Sequence, residues 1–302
     1  NTTHGIQTFI LGYPWQKGDG VVIADCEFPA NRLTWLSLRG EKGVDVKVVK
    51  SIDYKVSLED YYKICDKQTK VIAISWVQYL SGQRADIAEL GRFCRSRDIY
   101  LVVDGIQGIG AAVMDAEAMS IDWLSADGHK WMCGPEGVGL VWMSERALNT
   151  IEPACKGWFG VKEPFDFEKF DQEYAPTADK YLDGSPMLMG IMAFSAALKM
   201  LLSCGIEKIE KRVTELSSYA INEAQRRGWE VLTPDDPAQR AGIATFKPSS
   251  GDPSQIMKTL LSNNIICSLR GGQFLRISAH AFNNHEDIDR AFYVIDNHSN
   301  FI

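Results

Sequence analysis

The chain has 302 residues, and its 32 basic and 39 acidic side chains give it a formal net charge of −7. This acidic balance disfavours binding to nucleic acid or to an anionic membrane, and no apolar run approaches the length of a membrane span. The seven cysteines are scattered and form no CxxC pair, so we expect neither a disulfide framework nor a metal site, and we expect a cytoplasmic location.

The first part of the chain alternates between predicted strands and helices. A helix begins near Asn1-Thr2-Thr3, where free backbone N–H groups can bind a phosphate or can simply be capped by Asn or Thr. The pattern predicts strands at 20–25, 44–49 and 71–75, and helices at 31–40, 58–65 and 86–98. This alternation indicates a mostly parallel sheet with right-handed crossovers.

The central segment brings polar residues to the ends of two further predicted strands. The strand at 99–103 ends on Asp104, and the strand at 123–126 ends on Asp127-Gly128-His129-Lys130. A third strand is predicted at 138–143. Because the carboxyl ends of strands in an open α/β sheet face the ligand crevice, we expect these residues to lie close together.

These residue types suit one cofactor. A lysine amine such as that of Lys130 can condense with an aldehyde, and a carboxylate such as that of Asp104 can keep a pyridine nitrogen protonated, which together suit pyridoxal phosphate (PLP). The alternative is a solvated lysine in a turn. A second motif, Gly108-Ile109-Gly110, resembles the start of a dinucleotide fingerprint but lacks the third glycine.

The second half of the chain predicts a smaller α+β unit. The segment 151–185 is expected to be a long irregular cover over a site, and it is followed by helices at 187–202 and 206–227. Further strands are predicted near 230–232, 242–246, 265–269 and 274–278, with a closing helix from about 285. We therefore expect a large domain at 1–190 and a small C-terminal domain at 191–302.

The wording of three motifs points to a family. D-G-x-Q, G-H-K-W and G-P-E-G, which begin at Asp104, Gly128 and Gly134, resemble the class V aminotransferase family of fold-type I PLP enzymes. That family includes cysteine desulfurases, selenocysteine lyases, kynureninases and isopenicillin N epimerases. The resemblance implies an α/β large domain with a mostly parallel sheet of the seven-stranded type, a PLP cofactor, an amino-acid substrate and a homodimer. Family members normally carry a segment before the position of Asn1, so we expect the chain to be N-terminally truncated.

The resemblance also implies the roles of individual residues. Lys130 would form the Schiff base with PLP and act as the acid and base at Cα. Asp104 would pair with the pyridinium nitrogen, and Gln107 would donate towards the phenolic oxygen. The other implied contacts are Thr2, Thr3 and His129 at the phosphate, Phe28 stacked on the ring, Ser185 at a neighbouring subunit's phosphate, and Arg276 and Arg270 at the substrate.

One position departs from the family pattern. The family often has Ser where this chain has Asp127. A carboxylate beside a phosphate is repulsive unless it turns away or meets a cation, so Asp127 is not predicted to contact the cofactor.

The reaction is predicted from an absence. Desulfurases and selenocysteine lyases of the family carry a nucleophilic cysteine between the two C-terminal arginine positions, whereas residues 271–275 contain none. Cys267 precedes Arg270, and we expect it to be a small buried hydrophobe. We therefore expect a transaminase, epimerase or lyase, with a desulfurase or selenocysteine lyase as the alternative and a non-catalytic truncated homologue as the second alternative.

Overall fold

The computed structural model describes residues 1–297, and its two sheets are joined by two long helices. The first sheet is built from β1 (Gly20–Ala24), β2 (Asp45–Val49), β3 (Thr69–Ser75), β4 (Tyr100–Asp104), β5 (Trp123–Asp127) and β6 (Gly139–Met143). Its helices are α1 (Thr2–Gly12), α2 (Pro29–Leu36), α3 (Leu38–Glu41), α4 (Leu58–Ile64), α5 (Ile87–Ser96) and α6 (Glu145–Thr150). The spatial order is β2-β1-β3-β4-β5-β6, and β6 is the one antiparallel strand of this sheet.

Two consecutive helices lead out of this sheet. They are α7 (Leu188–Cys204) and α8 (Ile206–Arg226), which meet at Gly205. Over residues 1–297 no single helix is long and apolar enough to cross a membrane, and α7 and α8 meet that test of length and composition only as a pair bent by 82°.

Helices cover both faces of the first sheet, so its inner strands are apolar on both sides. Val22 and Ile72 belong to a core that includes residues of α5, α7 and α8. Their chain neighbours Val21 and Val71 point the other way, into a core that includes residues of α1, α2 and α6. The alternation of side chains along a strand therefore divides each apolar run between two layers.

The second sheet is small and entirely antiparallel. It consists of β7 (Glu230–Val231), β8 (Ile243–Lys247), β9 (Ser268–Arg270) and β10 (Phe274–Ser278), in the order β7-β8-β10-β9. With α8, α9 (Pro253–Ser262) and α10 (His285–Asp296), it encloses a core around Phe246 and Phe292, whose ring centroids lie 5.2 Å apart.

The first sheet corrects our expectation of a seven-stranded type, because it has six strands. The segment 151–187 that follows α6 contributes no strand to it. That segment is irregular apart from a 3-10 helix at Ala178–Tyr181 and an isolated bridge between Val161 and Tyr174.

The strand predicted at 265–269 is also corrected. β9 is only Ser268–Arg270, because the N–H of Ile265 donates to the carbonyl of Leu260 at 2.9 Å and closes α9 instead of joining the sheet. α9 itself was not predicted, although Asp252 caps it and Pro253 occupies its first turn. The helix predicted at 31–40 begins earlier, at Pro29, and is divided at Ser37.

Candidate active site

Three neighbouring parallel strands end at the same edge of the first sheet. β3, β4 and β5 are in register there, with Ser75 opposite Asp104 and Asp104 opposite Ser125. The loops that leave these strands therefore meet at their carboxyl ends, the usual position of a ligand crevice in a sheet of this kind.

Lys130 lies half-buried in the turn that follows β5. Its Nζ is 5.5 Å from the centroid of the Phe28 ring. Burial lowers the pKa of its amine, and the charges of Arg276 and Arg270 lower it further, whereas Asp104 and Asp127 oppose the shift. A larger fraction of this amine is therefore uncharged and nucleophilic than for a lysine in water.

Asp104 ends β4 as a buried carboxyl group, 2% exposed. Its Oδ1 accepts a hydrogen bond from the N–H of Ile106 at 3.0 Å. Burial raises the pKa of this carboxyl to about 6, against the opposing effects of the Ile106 N–H and the Lys130 charge. A cation placed against this carboxylate would offset the cost of burying its charge.

Gln107 lies close behind Asp104 and is also buried. Its Oε1 accepts a hydrogen bond from Trp131 Nε1 at 3.1 Å. Since the side-chain oxygen is engaged, the amide N–H groups of Gln107 remain available as donors.

Phe28 and Tyr79 form an aromatic wall near Lys130. Their ring centroids are 5.2 Å apart in an edge-to-face arrangement, and Phe28 remains 38% exposed. Phe28 stands at the start of α2, directly before Pro29. The structure therefore brings Phe28 beside the Lys130 amine.

Two arginines approach the same wall from the second sheet. In the β9–β10 hairpin Arg270 lies opposite Phe274 and Arg276 lies opposite Ser268, so both side chains leave the same face. Arg276 Nη1 donates to the carbonyl of Tyr79, and the Arg270 guanidinium carbon is 6.0 Å from the Tyr79 ring centroid.

The charges of these two arginines are not balanced by acidic side chains. Neither forms an ion pair within residues 1–297, and the Nε atom of each is buried without a hydrogen-bond partner. Burial and the charge of Arg270 lower the pKa of Arg276 to about 10. Two half-buried guanidinium groups without an acidic partner constitute a site for an anion.

The N-terminus of α1 lies at the end of β5. The hydroxyl of Thr2 accepts a hydrogen bond from the N–H of Asp127 at 2.9 Å, and its carbonyl accepts one from Ser125 Oγ at 3.0 Å. Gly5 permits this close packing, since a Cβ there would lie 2.1 Å from Ser125 Oγ. Thr3 is half-buried in the same first turn of α1, and Thr2 thereby contacts the backbone of Asp127, two residues before His129.

Ser185 is not brought to the other predicted residues. It is exposed in the bend before α7 and has no contact with the Lys130 turn among the described hydrogen bonds and ion pairs. The start of α7 beside it is an exposed apolar surface that includes Met187, Leu188, Met189 and Met192.

One buried acid was missed by the sequence reasoning. Glu27 lies three residues beyond the end of β1, and it accepts hydrogen bonds from the N–H of Ser75 at 2.9 Å, from Ser75 Oγ and from Asn31 Nδ2 at 3.0 Å. Burial raises its pKa to about 7 in spite of these donors. An acidic residue at or shortly after the end of a buried strand is a signal that we applied to Asp104, which ends β4, but not to Glu27.

His280 was also missed, and it joins the two sheets. Its Nδ1 accepts from the N–H of Ala281 at 2.8 Å, so the neutral ring carries its proton on Nε2, which lies 3.0 Å from the carbonyl of Trp131. The ring also stacks on Trp131 with centroids 5.3 Å apart. His280 thereby holds the turn of Lys130 against the end of β10.

Comparison with known proteins identifies the family of the chain. The family model described as Aminotransferase class-V matches residues 1–291. A probable cysteine desulfurase of Methanothermobacter thermautotrophicus is 28% identical over 311 residues, covering 95% of this chain and 75% of that protein.

Solved structures show the same fold. The apo structure of a cysteine desulfurase from Thermococcus onnurineus NA1 has a TM-score of 0.90 at 20% identity and covers 99% of this chain and 78% of that one. A lysine-to-alanine variant of the protein C-DES, with glycine covalently linked to its PLP cofactor, has a TM-score of 0.89 at 19% identity and covers 100% and 80% of the two chains.

Proposed function

Since the chain belongs to the class-V aminotransferase family, whose members are PLP-dependent enzymes, we propose that it acts at Cα of an amino acid with Lys130 as the residue that carries PLP. The observation that carries the proposal is the meeting of three groups at one sheet edge. They are the Lys130 amine, the buried Asp104 carboxylate and the Arg276 guanidinium, which has no acidic partner within residues 1–297.

The residues present fit PLP. A protonated pyridine nitrogen would supply the cation that the buried Asp104 carboxylate lacks. Gln107 has free amide donors for the phenolic oxygen, and Phe28 offers a ring to stack on the pyridine. Thr2, Thr3 and His129 would hold the phosphate at the N-terminus of α1.

PLP, when bound, supplies an aldehyde for the Lys130 amine and a conjugated ring that withdraws electrons from Cα. Lys130 then acts through proton transfer. Because its pKa is lowered, a larger fraction of its amine is free to accept the Cα proton and return it to another atom.

Arg276 and Arg270 would bind the substrate. A guanidinium group can hold an α-carboxylate through two parallel hydrogen bonds, which fixes the orientation of the Cα–H bond relative to Lys130. The bond from Arg276 to the carbonyl of Tyr79 keeps that guanidinium in place before substrate arrives.

We propose a reaction without a catalytic cysteine, either transamination, epimerisation or elimination. Cys267 Sγ lies 3.3 Å from Met257 Sδ in the second sheet's core, and burial raises the pKa of its thiol to about 11. The hairpin turn between Arg270 and Phe274 has no cysteine. A buried thiol of high pKa is a poor nucleophile.

Cysteine desulfurase or selenocysteine lyase activity remains the second candidate, favoured by the description of the archaeal relative. The thiol closest in sequence to Lys130 is Cys133, which is exposed and has its Sγ 3.5 Å from His280 Nε2. Sulfide release from cysteine that is lost in Cys133→Ala or in Cys267→Ala would establish this candidate. Release that survives both substitutions would exclude a role for either thiol.

We also propose a homodimer built on the start of α7. Met189 is 81% exposed and Met192 is 72% exposed, and an apolar surface of this kind on a folded protein marks a contact site. Ser185 lies beside this surface, as expected if it reaches a neighbouring subunit's phosphate. The seven free thiols fit a cytoplasmic enzyme.

The test is borohydride reduction of the PLP-loaded protein followed by peptide mass mapping. We expect the pyridoxyl group on Lys130, loss of the yellow absorbance in Lys130→Ala, and full absorbance in the exposed-lysine control Lys258→Ala. Absorbance that is unchanged in Lys130→Ala would refute the proposal. A wild-type protein that takes up no PLP would favour the non-catalytic homologue.

A further inference from the structure

Asp127 and His129 lie at the proposed phosphate end with buried polar atoms that make no hydrogen bond. Asp127 Oδ1 is 3.2 Å from His129 Nδ1, and the Asp127 side chain is only 9% exposed. Both atoms are shielded from solvent, and within residues 1–297 neither makes a hydrogen bond, either to the other or to any further group. The contact of Asp127 with Thr2 uses the backbone N–H, so it gives no reason for a carboxylate at this position.

A carboxylate here opposes the binding of a phosphate ester. Such an ester carries between about 1.5 and 2 negative charges at neutral pH. The cationic side chains on the same turn are His129 and Lys130, and the Lys130 amine is the group that binds the cofactor aldehyde. His129 is therefore the partner that can neutralise Asp127 without leaving the phosphate end.

The short distance within the pair restricts the tautomer of the imidazole. A lone pair on Nδ1 would face the carboxylate oxygen at 3.2 Å and be repelled by it, so a neutral ring beside Asp127 would carry its hydrogen on Nδ1 and have a lone pair on Nε2. That lone pair would repel phosphate oxygens. Nε2, which has no hydrogen-bond partner among the described residues, becomes a donor only when the ring is an imidazolium.

We propose that Asp127 is a positioning residue for the cofactor phosphate, which holds His129 as an imidazolium whose Nε2–H donates to that phosphate. The inference rests on the proposed function, because the phosphate is that of PLP. The pair is neutral overall, so the carboxylate that would repel the phosphate becomes the group that fixes a charged donor against it.

The experiment compares PLP with pyridoxal, which has the aldehyde but no phosphate. Both are titrated into wild type, Asp127→Asn, His129→Gln and the double variant, and Kd is read from the absorbance of the lysine-bound form. Glu136→Gln, which removes one negative charge six residues from Lys130, is the matched control.

We expect Asp127→Asn to weaken PLP at least about tenfold, to leave pyridoxal within about twofold, and to add little to His129→Gln in the double variant. If Asp127 merely repels the phosphate, Asp127→Asn will tighten PLP instead. Equal weakening of both aldehydes, or additive effects in the double variant, would also overturn the inference.

A second readout does not depend on affinity. With ¹⁵N-labelled histidine, the signals that disappear in His129→Gln identify His129 among the five histidines. We expect both of its ring nitrogens to be protonated in the PLP-loaded wild type and only one in Asp127→Asn. Tight PLP binding through Lys130 with a singly protonated His129 would leave the proposed function intact and refute the role of Asp127.

Discussion

Burial and hydrogen bonding have opposite effects on the pKa of the Glu27 carboxyl. Ser75 and Asn31 donate to its carboxylate and favour the charged form, whereas loss of solvent favours the neutral form. Burial dominates, and the pKa rises from 4.5 to about 7. The substitution that isolates this effect is Glu27→Gln, which keeps the shape of the side chain and removes its titration.

The sign and size follow from linkage. Between pH 4.5 and pH 7 the Glu27 carboxyl is deprotonated in the unfolded chain but still protonated in the folded chain. Because the folded state binds more protons in this range, the free energy of unfolding falls as the pH rises. Between pH 5 and pH 8 the wild type should lose about 2–3 kcal/mol of unfolding free energy relative to Glu27→Gln. Above pH 7 most of this loss is complete.

Urea unfolding of the apo proteins at pH 5 and pH 8, followed by tryptophan fluorescence, measures this difference. The exposed-carboxyl variant Glu168→Gln corrects for the general effect of removing a charge from an acidic protein. A difference between wild type and Glu27→Gln that stays constant with pH would refute the reasoning. A difference that grows in favour of the wild type would mean that the donors outweigh burial.

Three further predictions concern Arg276, Gly5 and Met189. Arg276→Lys should raise KM for the amino-acid substrate by about tenfold or more with a smaller change in kcat, since an ammonium group cannot make two parallel hydrogen bonds; steady-state kinetics would show this, and an unchanged KM would contradict it. Gly5→Ala should lower the unfolding free energy by about 1–3 kcal/mol in urea, because its Cβ would lie 2.1 Å from Ser125 Oγ, whereas Gly40→Ala, whose Cβ meets nothing within 4 Å, should not. Met189→Glu should convert the proposed dimer to a monomer in sedimentation, and an unchanged mass would place the contact elsewhere.

Much of the fold could be predicted from the sequence because its strands are apolar runs bounded by turn residues. The predicted bounds of β10 agree with the structure, and those of β4 and β5 differ by one residue. The strand ends also brought Asp104 and Lys130 together as expected. The sequence pattern did not predict how neighbouring elements compete for the same residues. For example, the closure of α9 through the N–H of Ile265 shortens β9.

The site was less predictable from the sequence, because its remaining parts depend on contacts between residues that are distant along the chain. The common face of Arg270 and Arg276 follows from the register of β9 and β10, and no local pattern gives that register. The bond from the Asp127 N–H to the Thr2 hydroxyl likewise joins residues that are distant in sequence. Residue types predicted the chemistry, whereas these partners required the folded chain.

The short turn of the β9–β10 hairpin is a position at which a longer loop can be inserted. Gly271 and Gly272 both have positive φ, +56° and +71°, and the Cβ position of Gly272 has nothing within 4 Å. Lengthening such a turn costs little entropy, about 0.6 kcal/mol for each doubling of its length. Insertion of a longer loop bearing a cysteine between Arg270 and Arg276, the proposed substrate-binding residues, would therefore test whether one added thiol changes the reaction on an otherwise unchanged scaffold.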